Sequence, residues 1–267
     1  MEGTWVNSWR SPWQEPLARD GAYSDLFAYV TDGHADLCFY SIATDPPVIG
    51  SLQINQIDPQ SYDAASIGQD YILVNYGRLT SGSQQWGPGF TNDTDLFGRS
   101  WQSDSEFQST SSSPLKKISA IKPITGADTA PNYFPAKLYE TAVTTSGGGN
   151  EVVDYALPVD AKLDYLLVFH FAEIDTSVTK AGQRMFDVVV NGKNVNRIDI
   201  FKEVGSFAAY TWQYTVKNLS YTMLTVKLVS AVGSPLICGL ENYALVPADL
   251  STVPDQGISI SIFFFFF

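Results

Sequence analysis

The chain has 267 residues, of which 45% are hydrophobic and 16% charged, a composition typical of a folded rather than a disordered protein. Its formal net charge of −12 and its lack of a Lys/Arg cluster argue against nucleic acid or an anionic membrane surface as a partner. Cys38 and Cys238 form no C-x-x-C pair, so neither a metal site nor another cofactor is predicted.

The first part of the chain, residues 1–57, repeats features that recur near the C-terminus. Gly33 and Gly233 each precede a cysteine by five residues, an aliphatic residue precedes each cysteine, and a Thr-Trp pair stands upstream of both. The same features in the same order predict that residues 1–57 are the C-terminal remnant of one domain and residues 70–250 a complete one. The Pro/Ser/Asp-rich stretch 58–69 is the predicted linker.

Segments rich in β-branched and aromatic residues recur beyond the linker, and Gly, Pro, Asn and Ser separate them. Roughly ten such strands without a helix period predict an all-β fold, a β-sandwich or jelly roll. Residues 136–143 and 151–157 flank a glycine-rich stretch and predict a hairpin. Asn191-Gly192 predicts a type I′ turn in another hairpin.

The longest polar segment, residues 80–114, is predicted to form loops, and loops on a rigid β-scaffold usually carry recognition residues. Exposed Trp and Tyr side chains are common interface anchors, so the aromatic residues here and at 131–135 are candidates for a ligand platform. The alternative is that they anchor the loops onto the sandwich. The candidate ligand-binding residues are Trp86, Trp101, Asp104, Tyr133, Phe134 and Tyr139.

His170 lies in the apolar run 163–174, three residues before Glu173. Because side chains alternate between the faces of a strand, the two residues point in opposite directions and cannot form an acid–base pair. The simplest interpretation of His170 is a histidine packed inside a strand.

A structural ion pair is predicted between Glu173 and Arg184. If strand 163–173 pairs antiparallel with the next strand along the chain, Arg184 lies beside Glu173. Calcium bound by Glu173, Asp175 and Asp187 is the alternative, because carboxylates are calcium ligands.

Asn92 in "NDT" and Asn218 in "NLS" are N-glycosylation sequons. The first residues have no apolar signal-peptide region, and the apolar C-terminal run is too short to span a bilayer. We therefore expect neither a signal peptide nor a spanning helix in this chain. Residues 251–267, which end in five phenylalanines, are expected to be a disordered or artefactual tail.

Four motifs, in order, resemble the malectin family: "LLVFHFAEI", "GQRMFDVVVNGKNV", "IDIFKEVG" and "PLICGLENYALVP". "YGRLTSGSQQWGPGFTNDTDLFGRSWQSD" and "YFPAKLYETA" are similar to its plant branch, which occurs as tandem domains outside leucine-rich-repeat receptor-like proteins and kinases. The resemblance covers about residues 70–250 and implies a malectin-like β-sandwich with a jelly-roll-like lectin fold.

The resemblance also implies a function at the cell surface or outside the cell. The expected role is a non-catalytic recognition module for a cell-wall glycan or a small basic peptide, with a co-receptor protein as a further partner. A membrane link is expected only through a parent segment missing here. The alternatives are a docking domain without a small ligand and a glycoside-acting enzyme, which needs two carboxylates facing one cleft. No motif marks such a pair, so no enzyme is predicted.

The family's sugar-binding groups are mostly aromatic residues plus one aspartate. The resemblance aligns the family's aromatic positions with Asp175, Thr176 and Thr144 of this sequence. It aligns the aspartate position with Gly33 in the first copy and Gly233 in the second. Each departure removes a stacking face or a carboxylate acceptor from a site that needs both. The resemblance therefore predicts the fold but not the disaccharide site.

Overall fold

A computed structural model describes residues 22–30, 34–41, 49–62, 70–93, 95–110, 112–130, 132–147, 150–248 and 258–266. These residues form fifteen strands and two short α-helices, which confirms the all-β prediction. The chain divides into two compact units, residues 1–75 with 243–267 and residues 76–242. These boundaries differ from the predicted 1–57 and 70–250, and the domain remnant stays a prediction.

The first unit is built on one sheet. Its strands are β1 (Ala22–Val30), β2 (Ser51–Gln56), the first residues of β3 (Tyr71–Thr80), the last residues of β14 (Gly239–Pro247), and β15 (Ile258–Phe266). Within it the order is β3–β1–β15–β2, and β15 is antiparallel to both β1 and β2. The pairing of residues 258–266 differs from the disordered or artefactual tail predicted over 251–267; residues 251–257 and Phe267 lie outside the described residues.

Three aromatic rings form the centre of the first unit. Phe27 on β1 packs against Tyr62 and Tyr243, with ring centroids 4.3 and 5.4 Å away. The Tyr243 hydroxyl donates a hydrogen bond of 3.1 Å to the Tyr62 hydroxyl, so the buried polar atoms of both rings are satisfied.

The second unit contains three sheets. Besides its parts of β3 and β14, its elements are β4 (Gln102–Ser103), β5 (Leu115–Ser119), α1 (Ala136–Tyr139), β6 (Thr141–Thr145), β7 (Val152–Pro158), β8 (Asp164–Phe171), β9 (Met185–Val190), β10 (Lys193–Ile198), α2 (Ile200–Val204), β11 (Tyr210–Val216), β12 (Met223–Val232) and β13 (Leu236–Ile237). The strand orders are β11–β8–β14–β3 with β4 beside β3, then β10–β9–β12–β7, and β13–β6–β5.

The core of the second unit lies on both faces of β8, where residues 165–171 are all buried. On one face Phe171 packs against Phe186 of β9, with ring centroids 5.6 Å apart. Along β9, buried residues alternate with partly exposed ones, as expected for an outer layer of a sandwich. The other face of β8 carries His170, whose ring lies 4.4 Å from that of Phe134.

Two predicted strand pairings are wrong. Residues 136–139 are α1, β6 pairs with β5 and β13, and β7 pairs with β12, so the glycine-rich stretch joins two sheets instead of closing a hairpin. Likewise β8 pairs with β11, whereas β9 pairs with β10 and β12. Sequence neighbours failed to pair because side-chain packing across the sandwich, not local pattern, selects the partner strand.

The predicted turn at Asn191-Gly192 is confirmed. Both residues have positive φ, 48° and 79°, and β9 and β10 form the hairpin that they connect. Cys238 is buried as a small hydrophobe should be, but Cys38 is exposed, and both thiols are free. None of the helices in the described part of the chain has the length and apolar character of a membrane span.

Candidate recognition site

Two connections between strands and the end of β6 meet at the side chain of Arg184. The Arg184 cluster consists of Arg184, Glu173, Asp175, Thr144 and Ser234. Arg184 Nε donates to Glu173 Oε2 at 2.7 Å, and Nη2 donates to Asp175 Oδ2 at 2.9 Å. Nη1 donates to Thr144 Oγ1 at 3.4 Å and to the carbonyl oxygen of Ser234. All three guanidinium nitrogens are therefore engaged, and the side chain is only 5% exposed.

The strand order explains why these residues meet. The connection from β8 to β9 carries Glu173 and Asp175 and ends at Arg184. Thr144 lies near the end of β6, whose neighbour β13 begins two residues after Ser234. The Thr144 hydroxyl donates a hydrogen bond of 2.8 Å to the carbonyl oxygen of Pro235, which ties β6 to the connection between β12 and β13.

Local hydrogen bonds order the connection between β8 and β9. Asp175 Oδ1 accepts from the backbone N–H and the hydroxyl of Ser177, at 3.0 and 2.7 Å. Gln183 Oε1 accepts from the backbone N–H of Thr179 at 2.7 Å. These bonds hold the connection in one shape, as is typical of Asx-type turns, and keep Asp175 facing the guanidinium of Arg184.

The two carboxylates of the cluster differ in pKa because they differ in burial. Desolvation raises the pKa of Glu173 above its ordinary value, although the charge of Arg184 opposes the rise. Desolvation acts on Asp175 too, but hydrogen bonds from Ser177 and the charge of Arg184 outweigh it and lower its pKa. Asp175, whose side chain is 32% exposed, is therefore the carboxylate that faces solvent with a firm negative charge.

Four of the positions that the resemblance assigns to sugar contacts converge at this cluster, whereas Gly33 of the first copy lies outside the described residues. Asp175 and Thr144 belong to it. Thr176 follows Asp175 and is exposed, and Gly233 directly precedes Ser234 of the cluster. At Gly233 φ is 65°, and an added Cβ would lie 2.8 Å from the carbonyl oxygen of Gln183. A carboxylate side chain at this position would clash with backbone, so the aspartate of the family does not fit.

Three segments that carry or adjoin the cluster contain no aromatic residue: "TSGGGN" (145–150), "DTSVTKAGQR" (175–184) and "AVGSP" (231–235). A fourth segment brings Phe207 to the cluster, where its backbone N–H donates to the Glu173 carbonyl at 2.9 Å, but its ring is buried. Sugar recognition combines an apolar ring face with polar groups aimed at hydroxyls. All three guanidinium nitrogens of Arg184 are hydrogen-bonded within the protein. The cluster therefore offers a ligand the carboxylate of Asp175 and backbone groups but no stacking surface.

The predicted Glu173–Arg184 pair is present, in a different setting from the one predicted. The two residues flank a connection between different sheets and do not oppose each other in a hairpin. Asp187 pairs instead with Arg197 at 2.7 Å, apart from Glu173 and Asp175. Within the described ranges, no three His, Cys, Asp or Glu side chains are placed to hold a metal ion, which removes the support for a calcium site.

The predicted aromatic platform is not formed. Five of the six candidate ligand-binding residues are buried in the second unit: Trp86, Trp101, Asp104, Phe134 and Tyr139. Trp86 and Trp101 exchange backbone hydrogen bonds of 2.9 and 2.8 Å, and their rings stack 5.7 Å apart. Tyr133 is partly exposed, and its carbonyl accepts from Arg99 at 2.7 Å. These residues anchor the loops onto the sandwich, because burying large rings is the stronger driving force.

Asp104 is unsuited to bind a ligand hydroxyl. The hydroxyl of Tyr155 already donates to its Oδ2 at 2.8 Å, and the side chain is inaccessible. Burial raises the pKa of Asp104, although the hydrogen bonds from Tyr155 and Ser81 act in the opposite direction. Its role is to satisfy buried hydroxyl groups in the core.

His170 is the centre of a buried polar network. Its Nε2 lies 2.9 Å from Glu241 Oε1 and its Nδ1 lies 3.0 Å from the Tyr139 hydroxyl. Arg78 Nε donates to Glu241 Oε2 at 2.9 Å. Burial lowers the pKa of His170, so the imidazole is neutral, with Nε2 donating to Glu241 and Nδ1 accepting from Tyr139. The predicted packed histidine is confirmed.

The sequence pattern did not indicate the charged members of this core. Arg78 and Glu241 stand in apolar strands, and Asp95 pairs with Arg99 at 2.8 Å, both with inaccessible side chains. A charge inside an apolar run is a usable signal, because buried charges are almost always paired. The partner could not be named from sequence, since Arg78 and Glu241 are 163 residues apart.

Both sequon asparagines are exposed. Asn92 lies in the loop that Trp86 and Trp101 close, and Asn218 lies in the turn after β11. The backbone N–H of Asn218 donates to Asp164 Oδ1 at 2.6 Å. Glycosylation of either residue stays a prediction.

The chain is similar to plant receptor ectodomains. The malectin-like domain model matches residues 4–245. Receptor-like protein 4 of Arabidopsis thaliana is 30% identical over 261 residues, which are 96% of this chain and 41% of that protein. The crystal structure of the plant receptor-like kinase FER matches 71% of this chain and 54% of its own, with a TM-score of 0.61 at 19% identity.

A second crystal structure, of the plant peptide RALF23 in complex with FER and LLG2, matches with a TM-score of 0.58 at 21% identity. It covers 68% of this chain and 50% of the other. At such identities the two crystal structures establish the fold alone. The chain spans less than two thirds of the length of each of these proteins.

Proposed function

The chain belongs to the malectin-like family, and we propose that it is a non-catalytic recognition module that binds a basic polypeptide at the cell surface of a plant. One observation carries the proposal. The four positions that would contact a sugar are gathered around Arg184, yet they present no aromatic ring and leave no room for a carboxylate at Gly233. The family fold is kept, whereas the features needed for a disaccharide are replaced.

The charge of the molecule supports a basic partner. With 28 acidic against 16 basic residues, the chain attracts cationic surfaces over distances of about a Debye length, roughly 8–10 Å. At the Arg184 cluster, Asp175 keeps its negative charge because its pKa is lowered. A polypeptide supplies both cationic side chains and backbone donors for such a surface, whereas a neutral disaccharide supplies only hydroxyls.

The fold neighbours are compatible with this proposal. One of them is a crystal structure of the peptide RALF23 in complex with FER and LLG2. By analogy, a peptide and a co-receptor protein are the partners proposed for this chain. Both carboxylates of the cluster are bound by one guanidinium, an arrangement that does not offer the acid–base pair of a glycoside hydrolase.

Binding to basic peptides tests the proposal. The secreted chain is immobilised, and synthetic plant signalling peptides of net positive charge are measured by biolayer interferometry beside sequence-scrambled versions of equal charge. The expected result is sequence-dependent binding that weakens as salt is raised, with D175N weakening it further. Equal binding of native and scrambled peptides, or none at all, would refute a specific peptide module. T179A, on the same connection, is the matched control.

A further inference from the structure

We propose that Asn92 carries an N-linked glycan whose first N-acetylglucosamine packs against the ring of Phe90. The proposal concerns a surface loop and is independent of the recognition site around Arg184. It rests on the shape of the loop, on the exposure of Phe90, and on a contrast with the second sequon at Asn218.

Hydrogen bonds fix the described residues of the loop that carries Asn92, 86–93 and 95–101; Thr94, the third residue of the sequon, lies outside the described residues. The ends of the loop are joined by the backbone bridge between Trp86 and Trp101. Inside it, Arg99 Nε donates to Asp95 Oδ2 at 2.8 Å, and both side chains are inaccessible to solvent. A loop fixed in this way presents its exposed side chains in a constant arrangement, which a contact between a glycan and the protein surface requires.

The side chain of Thr91 orders the turn in front of the sequon. Its Oγ1 accepts from the backbone N–H groups of Gly87 and Asp93, both at 3.2 Å, and donates to Asp93 Oδ2 at 2.8 Å. The backbone N–H groups of Phe90 and Thr91 both donate to the Gly87 carbonyl at 2.9 Å. The hydroxyl of Thr91 is thus turned towards the backbone of its own loop, while Phe90 and Asn92 on either side of it are exposed.

Phe90 differs from the other aromatic residues of the loop. Trp86, Phe97 and Trp101 are at most 8% exposed, whereas Phe90 is 38% exposed. Their burial accounts for the loop anchor, whereas part of the Phe90 ring faces solvent. It precedes Asn92 by two residues in "FTNDT". An aromatic face, which carries negative charge density, favours contact with the C–H face of a sugar ring.

The sequon at Asn218 lacks these features. The residue two positions before it, Val216, is aliphatic and 9% exposed, and Leu219 after it is 4% exposed. Val216 and Leu219 are thus buried in the core, whereas Lys217 is exposed. The exposed ring in that connection, Tyr221, follows Asn218 by three residues and does not precede it by two, so Asn218 serves as the internal control for Asn92.

The test uses the full chain secreted from eukaryotic cells behind a cleavable leader, as wild type, F90A, F90Y, N92Q and F90A/N92Q. Peptide mass spectrometry measures glycan occupancy, and scanning calorimetry measures the melting temperature Tm. We expect Asn92 to be occupied. We also expect F90A to lower Tm by about 2–4 °C more in the glycosylated chain than in the N92Q background, with F90Y close to wild type.

Two results would overturn the proposal: a secreted chain with bare Asn92, or the same loss of Tm from F90A with and without the glycan. If F90A also lowers the occupancy of Asn218, the substitution acts on folding as a whole and the proposed local contact is refuted. Should F90A not be secreted, F90L is compared with F90Y, again with and without N92Q. A loss of Tm from F90L that needs the glycan supports the contact, and an equal loss in both backgrounds refutes it.

Discussion

Arg184 Nε donates to Glu173 Oε2 at 2.7 Å, although the two residues flank strands that belong to different sheets. The pair therefore links the two sheets at one end of the sandwich. Replacing Arg184 by methionine leaves Glu173, which is inaccessible to solvent, without its counterion. We expect R184M to lower the free energy of unfolding by about 3–5 kcal/mol.

Urea denaturation at neutral pH measures this loss, and E173Q/R184M is the matched control. Removing both charges should recover part of the loss, because no unpaired buried carboxylate remains. A loss of less than about 1 kcal/mol for R184M would show that the pair does not support the cluster.

Trp101 and Leu96 form a contrast within one loop. Trp101 is fully buried, whereas Leu96 is 64% exposed. We expect W101A to cost about 3–5 kcal/mol, because it empties a packed site. L96A should change stability by no more than about 0.5 kcal/mol. Thermal melting of both variants checks this, and a W101A chain that melts like the wild type would restore the idea of a displayed aromatic platform.

Gly233 and Gly192 are glycines for different structural reasons. Both have positive φ, at 65° and 79°, but only at Gly233 would a Cβ meet backbone, 2.8 Å from the oxygen of Gln183. We expect G192A to cost about 1 kcal/mol from the left-handed conformation, and G233A to cost clearly more. Chemical denaturation compares the two. Equal costs would mean that the backbone around Gly233 yields to a side chain.

The buried His170 makes stability depend on pH. Burial lowers its pKa in the folded chain below the ordinary value of 6.5. As the pH falls below 6.5, His170 therefore binds a proton in the unfolded chain but stays neutral in the folded chain. The stability that the neutral imidazole of His170 contributes is fully present above that pH, and it is lost as the pH falls towards the folded-state pKa.

The measurement is the free energy of unfolding at pH 7, 6 and 5 for wild type and H170Q. The wild type should lose more stability than H170Q over this range, since the variant has no buried imidazole to protonate. Parallel curves for the two proteins would show that His170 is not the group responsible, or that the network with Glu241 and Arg78 accepts the charge.

The β-rich pattern was enough to predict the fold class, because alternation and turn residues are local properties of the sequence. The Asn191-Gly192 hairpin was predicted correctly for the same reason. Strand partners were not: β6 and β7 are neighbours in sequence but belong to different sheets. Their partners are determined by packing between distant segments, which local pattern does not encode.

The contacts of the candidate site divide in the same way, into those that local sequence pattern could predict and those that depend on distant segments. The Glu173–Arg184 pair could be predicted because both residues stand near the ends of recognisable strands. The contacts of Arg184 with Thr144 and Ser234 could not, since they join stretches 40 and 50 residues away. Trp86 and Trp101 were candidates for display because polar residues surround them, and only the folded loop shows that they stack on each other.

We infer that the malectin-like fold is kept here while its sugar-contact positions are closed around Arg184. Calorimetric titration of the chain with the glucose disaccharides maltose and nigerose, at millimolar sugar, tests it most directly. We expect no heat above dilution for either sugar, because the cluster has no aromatic ring and Arg184 is already bound by the protein. Saturable binding with micromolar affinity that R184M abolishes would contradict it.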